Sequence, residues 1–441
     1  MTVLQRVLGF RTIVSTSAGL AFAAVNFLAV LEIRGSAPGV LAPIAILVAG
    51  VLCLLAAAVF SELNGTLPSA AGIRVWTVRG LGDPFSLTFT LLYLTTIVAV
   101  IAADGFVLGS ALQIAIPAVP GVLWILLFLA AALLSNLRGV RSAGLVQDLT
   151  TYFLLAALIV VSAVALGAPG GHLPATPPDW ASGLFGGVAL AVFVFTGFEW
   201  VTPLAEEIRD PKRMPTGLGL SLLLLAVGFG LFALVAARLP GVSASGLAPQ
   251  LTVGHAALGA TGFWVMLVVT VVTAGTTFNG GFAAASRLVY ALGRTGYLPA
   301  SLGKLSPRFV PARALYLLAG TSAVLTILVF ATHRYLILIN AGATLESAMY
   351  VIAALALLGL RRREANLPRT YRAPGGRIIP VATVVLFGVL GLGAALTPTD
   401  LPLPQAPWTL ILLAILAVAA YTYTRRVLKR RAASRAPASS M

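Results

Sequence analysis

Twelve apolar segments follow one another along this chain, most of them near the roughly 20 residues that an α-helix needs to cross the hydrocarbon core of a bilayer. They fall at 12–33, 39–62, 85–115, 121–136, 143–167, 183–205, 215–238, 259–293, 313–332, 335–360, 377–396 and 405–424. The runs are continuous and do not alternate over ten-residue units, which excludes a β-barrel. Segments 3 and 8 exceed one perpendicular crossing and are expected to tilt or to project from the membrane. Clusters of Gly and Pro punctuate most breaks, as at Gly35 to Gly39, Pro117 to Gly121, Gly167 to Pro178 and Pro398 to Pro407. Segment 1 is too long for a signal-peptide core and lacks a convincing cleavage site after it, so it is expected to be retained. The fold class is an all-α polytopic membrane protein.

Composition agrees. Charged residues make up 10% of the chain, against about 25% in soluble domains. A soluble enzyme, a nucleic-acid binder and a disordered scaffold are excluded on that ground. The net charge of +16, from 29 basic and 13 acidic residues, then reports orientation and not a nucleic-acid partner. With the N-terminus cytoplasmic, 26 of the 29 basic residues lie on the inner side, and only Arg34, Arg238 and Arg334 lie outside. That bias is the positive-inside pattern. It predicts a multi-pass protein of the cytoplasmic membrane with both termini cytoplasmic. The basic tail, 425–441, is expected to meet anionic lipid headgroups. The single cysteine, Cys53, forms no internal disulfide and reads as a packed thiol. The three histidines, His172, His255 and His333, sit in expected outer loops. Neither a catalytic dyad, a metal-ligand cluster nor a nucleotide-binding loop stands out, so no enzyme activity, cofactor or metal is expected.

Two segments carry what a lipid-facing helix avoids. Segment 1 contains Val14-Ser15-Thr16-Ser17-Ala18-Gly19-Leu20, and segment 6 contains Phe193-Val194-Phe195-Thr196-Gly197-Phe198-Glu199. Small hydroxyl residues beside a glycine suit either local unwinding or close helix packing. Their positions favour unwinding. Segments 1–3 and 6–8 are offset by roughly 175–180 residues, and segments 4–5 and 9–10 by roughly 190, as in transporters built from two inverted halves around a midplane site. The expected halves are 1–168 and 169–360, five helices each, with 361–424 adding helices 11 and 12.

Four motifs point to a family. Phe195 to Pro215 reads FTGFEWVTPLAEEIRDPKRMP, Ser61 to Gly72 reads SELNGTLPSAAG, Ser286 to Pro299 reads SRLVYALGRTGYLP, and Arg361 to Gly376 reads RRREANLPRTYRAPGG. In this order they resemble the amino acid–polyamine–organocation (APC) transporters over most of the chain. The resemblance implies a LeuT-type 5+5 inverted repeat of 12 transmembrane helices, with helices 1 and 6 discontinuous. It also implies alternating access and a substrate held between the two unwound stretches. An amino acid fits: a half-helix N-terminus after Gly19 would take an α-carboxylate, and carbonyls freed in helix 6 would take an α-ammonium.

The expected substrate contacts are Ser15, Thr16, Ser17, Ala18 and Gly19 on one side and Phe193, Thr196 and Gly197 on the other. Here Ser17-Ala18-Gly19 stands where the family has G-S-G, so the pocket's depth differs. Phe193 and Phe282 match aromatic gate positions. Glu199, Asp104 and Glu346 are acids deep in apolar segments, where each costs at least about 2.5 kcal/mol on insertion scales. Glu199 is the expected carrier of a coupling proton or link to the inner gate. Asp104 and Glu346 either face a cationic substrate group or bond to serines and backbone. Glu206 and Glu207 are expected to pair with Arg209, Lys212 and Arg213. Segment 5 lacks the lysine that some relatives use as a proton or cation surrogate. Thr276 and Thr277 offer hydroxyls to a sodium site.

The expected function is secondary amino-acid transport by proton symport or exchange. A polyamine or cationic amino-acid exchanger is the nearest alternative, and a transport-dead membrane sensor is the alternative from another class.

Overall fold

Apolar segments offer the backbone few polar partners, so each must satisfy its own amides and carbonyls, and the chain is helical accordingly. The structure is a computed structural model describing residues 6–83, 85–167, 172–239, 248–398, 401 and 407–435. Among the described residues the helices are α1 (Phe10–Ala21), α2 (Val25–Ser36), α3 (Leu41–Thr66), α4 (Gly72–Gly80), α5 (Phe85–Ala115), α6 (Gly121–Leu137) and α7 (Val140–Gly167). They continue as α8 (Trp180–Ala191), α9 (Met214–Arg238), α10 (Pro249–Arg294), α11 (Ala312–Thr332), α12 (Leu336–Arg363), α13 (Ile378–Ala395) and α14 (Trp408–Arg435). The only strand-like contact among these residues is a parallel bridge between Leu8 and Ile208.

Ten helices, counting α8 with its continuation to Glu207, are long and apolar enough to cross a membrane, and the bent pair α1–α2 makes an eleventh. The apolar α6 has 17 residues. Every expected segment coincides with helix. The nine-residue α4, between segments 2 and 3, is the one helix outside them. The expected boundary at 168/169, the start of segment 12 at 405 and the end of the basic tail at 436–441 lie outside the described residues.

Polarity is arranged for lipid. Val51, Val324 and Val418 are 63%, 70% and 66% exposed, while Glu62, Asp104, Glu199 and Glu346 are fully buried. A surface of this kind is an aggregation liability in water and suits hydrocarbon. Around the centre, α1 packs on α7, α9 and α10, α3 on α8 and α9, and α5 on α10, α11 and α12. The long α10 bends at Leu258 and Gly259, whose φ of 61° and ψ of −149° are open to glycine alone. The part beyond the bend is segment 8.

Candidate substrate site between two helix breaks

The first break separates α1 from α2. The Phe22 amide donates to the Ala18 carbonyl at 2.7 Å; Ala23 and Ala24 then turn the chain, and α2 leaves at 57° to α1. The opening thus begins three residues past Gly19. Ser15 to Gly19, where the sequence suggested unwinding, is regular helix. The partners that hold the break open come from elsewhere. Asp104, on α5, accepts the Val25 amide at 2.8 Å and so caps the new helix. Asn26 donates back across the gap to the Ala21 carbonyl at 2.7 Å.

The second break falls where the sequence placed it. After α8, Val192–Phe195 winds as a single 3-10 turn. Thr196 is then extended, with φ −54° and ψ 124°, and Gly197 is left-handed at φ 108°. A ten-residue 3-10 stretch, Phe198–Glu207, carries the chain onward through Pro203. The Thr196 amide donates to the Phe193 carbonyl at 3.0 Å. A Cβ on Gly197 would stand 2.8 Å from the Leu20 side chain, so α1 lies directly against this turn. The two breaks are joined: Asn26 also donates to the Val194 carbonyl at 3.0 Å, and Ser17 donates its hydroxyl to the Phe198 carbonyl at 2.7 Å.

The other expected residues divide between the breaks and their packing. Ala18 supplies the last helical carbonyl before the break. Gly19 is a packing residue, since a Cβ there would stand 2.7 Å from Thr276 and closer still to Gln147 and Thr151. Ser15 faces α7: its hydroxyl donates to Asp148, and its carbonyl accepts from Thr151 at 3.0 Å. Thr16 lines a small cavity with Leu8, Thr12, Gln147 and Asn279. The Phe193 ring packs against α12, 2.6 Å from where a Cβ on Gly342 would lie. Phe282 is buried in α10.

Of the buried acids, Glu199 accepts the Tyr93 hydroxyl at 2.9 Å and lies beside Glu346 of α12. Tyr350 neighbours Glu346. The second Glu199 oxygen and both Glu346 oxygens have no hydrogen-bond partner. Among the described residues the ion pairs do not include Asp104, Glu199 or Glu346. Thr276 donates to its own helix at Val272, whereas Thr277 lies beside Asp104.

Two facing breaks in an all-helical apolar bundle are the architecture of a transporter core, and the comparisons agree. Residues 8–420 match the family model described as amino acid permease. The chain belongs to the amino acid permease family. The permease is 27% identical to the branched-chain amino acid permease of Bacillus subtilis, over 79% of this chain and 80% of that one. It is 31% identical to the branched-chain amino acid permease of Lactococcus lactis, over 58% and 57%. Against the gamma-aminobutyric acid permease of Escherichia coli the identity is 25%, over 75% of each chain. A crystal structure of a mutant Eremococcus coleocola manganese transporter superposes with a TM-score of 0.64 at 14% identity, covering 96% of this chain and 94% of that one. That likeness shows the fold.

Several polar residues of the permease core escaped the sequence reading. On α7, Gln147, Asp148 and Thr151 all face α1. Thr12 donates to Asp148 at 3.2 Å, and Asn279 of α10 donates to Gln147 at 3.0 Å. The i, i+1 and i+4 spacing of Gln147, Asp148 and Thr151 marks one polar face on an otherwise apolar helix, and that was the available signal.

The acids after the second break also find partners other than the expected ones. Glu207 pairs with Arg287 at 3.1 Å, with both side chains at most 1% exposed. Glu206 pairs with Arg294 at 3.2 Å and accepts the Ala70 amide at 2.9 Å. Both arginines belong to α10, so the ion pairs cross the bundle instead of staying with the nearby Arg209, Lys212 and Arg213. The Leu8 amide donates to the Glu207 carbonyl at 3.0 Å, which ties the start of α1 to the same place.

Proposed function

We propose that the permease carries amino acids across the cytoplasmic membrane by alternating access, with protons as the coupling ion. Twelve crossings place both termini in the cytoplasm, with inverted halves at 1–168 and 169–360 and helices 11 and 12 at 361–424 outside the repeat. The substrate lies between the breaks, near Ser17, Ala18, Thr196 and Gly197. The observation that carries the reading is the pair of facing breaks bridged by Asn26. Backbone groups freed from helices at the membrane centre are tolerated where they line a binding site or are taken up by neighbours.

Glu199 and Glu346 supply the proton site. Two carboxyl groups buried side by side do not both ionise, so the pair retains a proton while it is closed off. Glu199 is two residues from Gly197, so movement of the break changes the surroundings of the pair. The ion pairs of Glu206 and Glu207 with α10, together with the α1 strap at Leu8, form the cytoplasmic gate. The relatives named for branched-chain amino acids and gamma-aminobutyric acid supply the first substrates to try.

Reconstituted into liposomes, the protein is expected to accumulate leucine or gamma-aminobutyric acid when the outside is acidified. Glu199→Gln and Glu346→Gln are expected to lose that accumulation and keep counterflow of labelled against unlabelled substrate. Accumulation that requires internal substrate, and ignores the pH gradient, would make the protein an exchanger. No uptake of any amino acid under any gradient or counter-substrate would sink the transport reading.

A further inference from the structure

The N-terminus of α2 is the place where the freed amides of helix 1 would attract a substrate carboxylate. The protein has put a carboxylate of its own there. Asp104 accepts the Val25 amide at 2.8 Å, and the Ala24 amide also points at it. Asp104 is fully buried, and its second oxygen has no hydrogen-bond partner.

The atoms around it have one chemical character. Asn26 spends its amide nitrogen on the Ala21 and Val194 carbonyls, which leaves its side-chain oxygen unpartnered. The hydroxyls of Thr277, beside Asp104, and of Thr196, at the second break, are buried without partners as well. An amide oxygen, a carboxylate oxygen and two hydroxyls form a set of acceptors with no cation to balance it, since Asp104 is in no ion pair among the described residues. Such a set binds an ammonium, whose three N–H donors each need an acceptor. A second carboxylate placed there would meet the charge of Asp104 at short range in a low-dielectric site.

We infer that the head of α2 is an ammonium subsite, in which the free oxygens of Asp104 and Asn26 receive the amino group of the substrate. This rests on the breaks being the substrate site, and it reverses the substrate relative to the sequence expectation. The substrate carboxylate makes no contact with α2. An amine that lacks the carboxylate therefore keeps the main polar contact, while an acid that lacks the amine loses it.

The test uses the full-length protein in liposomes, with labelled leucine in counterflow and two competitors. Isopentylamine keeps the ammonium, and 2-hydroxy-4-methylpentanoate keeps the carboxylate. The amine is expected to compete within about tenfold of leucine itself, and the hydroxy acid to fail at roughly a hundredfold excess, because a charge-assisted hydrogen bond carries about 1.5–3 kcal/mol. Asp104→Asn is expected to weaken amine competition by about tenfold or more. Competition by the hydroxy acid and not by the amine overturns the inference, as does an Asp104→Asn protein that still binds the amine. The unsubstituted protein decides the matter if the variant fails to fold. If no amino acid is transported, the transport reading fails separately, and thermal stabilisation of the purified protein by isopentylamine but not by the hydroxy acid still tests the subsite.

Discussion

Asn26 and Val194 lie 168 residues apart and meet at 3.0 Å, the side-chain amide of one donating to the backbone carbonyl of the other. The same nitrogen donates to Ala21 at 2.7 Å, so one side chain closes the accounts of two interrupted helices. Each buried carbonyl left without a donor costs about 1–3 kcal/mol. Asn26→Asp keeps the shape and removes both donors. It is expected to lower the detergent melting temperature by several degrees and to cut uptake at least about tenfold. Wild-type uptake together with a wild-type melting curve would show that the bridge is dispensable.

Gly19 separates two readings of the same residue. As a packing glycine, it brings α1 against Thr276, 2.7 Å from where a Cβ would stand. Overfilling such a contact costs about 1–3 kcal/mol. Gly19→Ala is therefore expected to destabilise the protein, with substrate affinity unchanged in the fraction that remains folded. Thermal unfolding and counterflow KM, measured side by side, check this. A large rise in KM at unchanged stability would place Gly19 in contact with substrate instead.

At Gly197 two effects act at once: a left-handed backbone at φ 108° and the Leu20 side chain 2.8 Å from a Cβ. Gly197→Ala is expected to abolish uptake. Adding Leu20→Ala removes the clash and leaves the backbone strain of about 1–3 kcal/mol. The double variant is thus expected to recover part of the lost melting temperature and little of the transport. Full recovery would mean that the conformation at 197 matters less than the space around it.

The difference between the two breaks explains what was legible in the sequence. The second break carries its own cause, because a glycine with positive φ follows a threonine whose ψ is extended, and the motif around it is local. The first break has no such cause in Phe22-Ala23-Ala24. It is held by Asp104 from α5 and by Asn26 reaching to Val194, contacts that only the fold creates. The hydroxyl-rich Ser15 to Ser17 run was the wrong local signal, since Ser15 and Ser17 bond outward to Asp148 and Phe198. Span positions were legible because hydrocarbon thickness sets a length that hydropathy reports directly. Ion-pair partners were not: Glu207 is separated from Arg287 by 80 positions and from Arg209 by two, and sequence proximity favoured the wrong arginine.

The Glu207–Arg287 pair gives the sharpest stability prediction. Both side chains are buried, at 1% and 0% exposure, with a separation of 3.1 Å. Arg287 also donates to the Ala283 carbonyl at 3.1 Å. Removing one partner strands a buried charge, at a cost of about 3–5 kcal/mol, whereas removing both together is often close to neutral. Arg287→Met alone is expected to unfold at a much lower temperature than the parent, and Glu207→Gln with Arg287→Met to regain most of the loss. A double-mutant cycle on detergent melting measures the coupling. If the pair belongs to the cytoplasmic gate, the double variant also leaks: efflux of preloaded substrate from liposomes is expected to rise while the fold is retained. Additive losses in the cycle would show that the two side chains are stabilised by their other neighbours and not by each other.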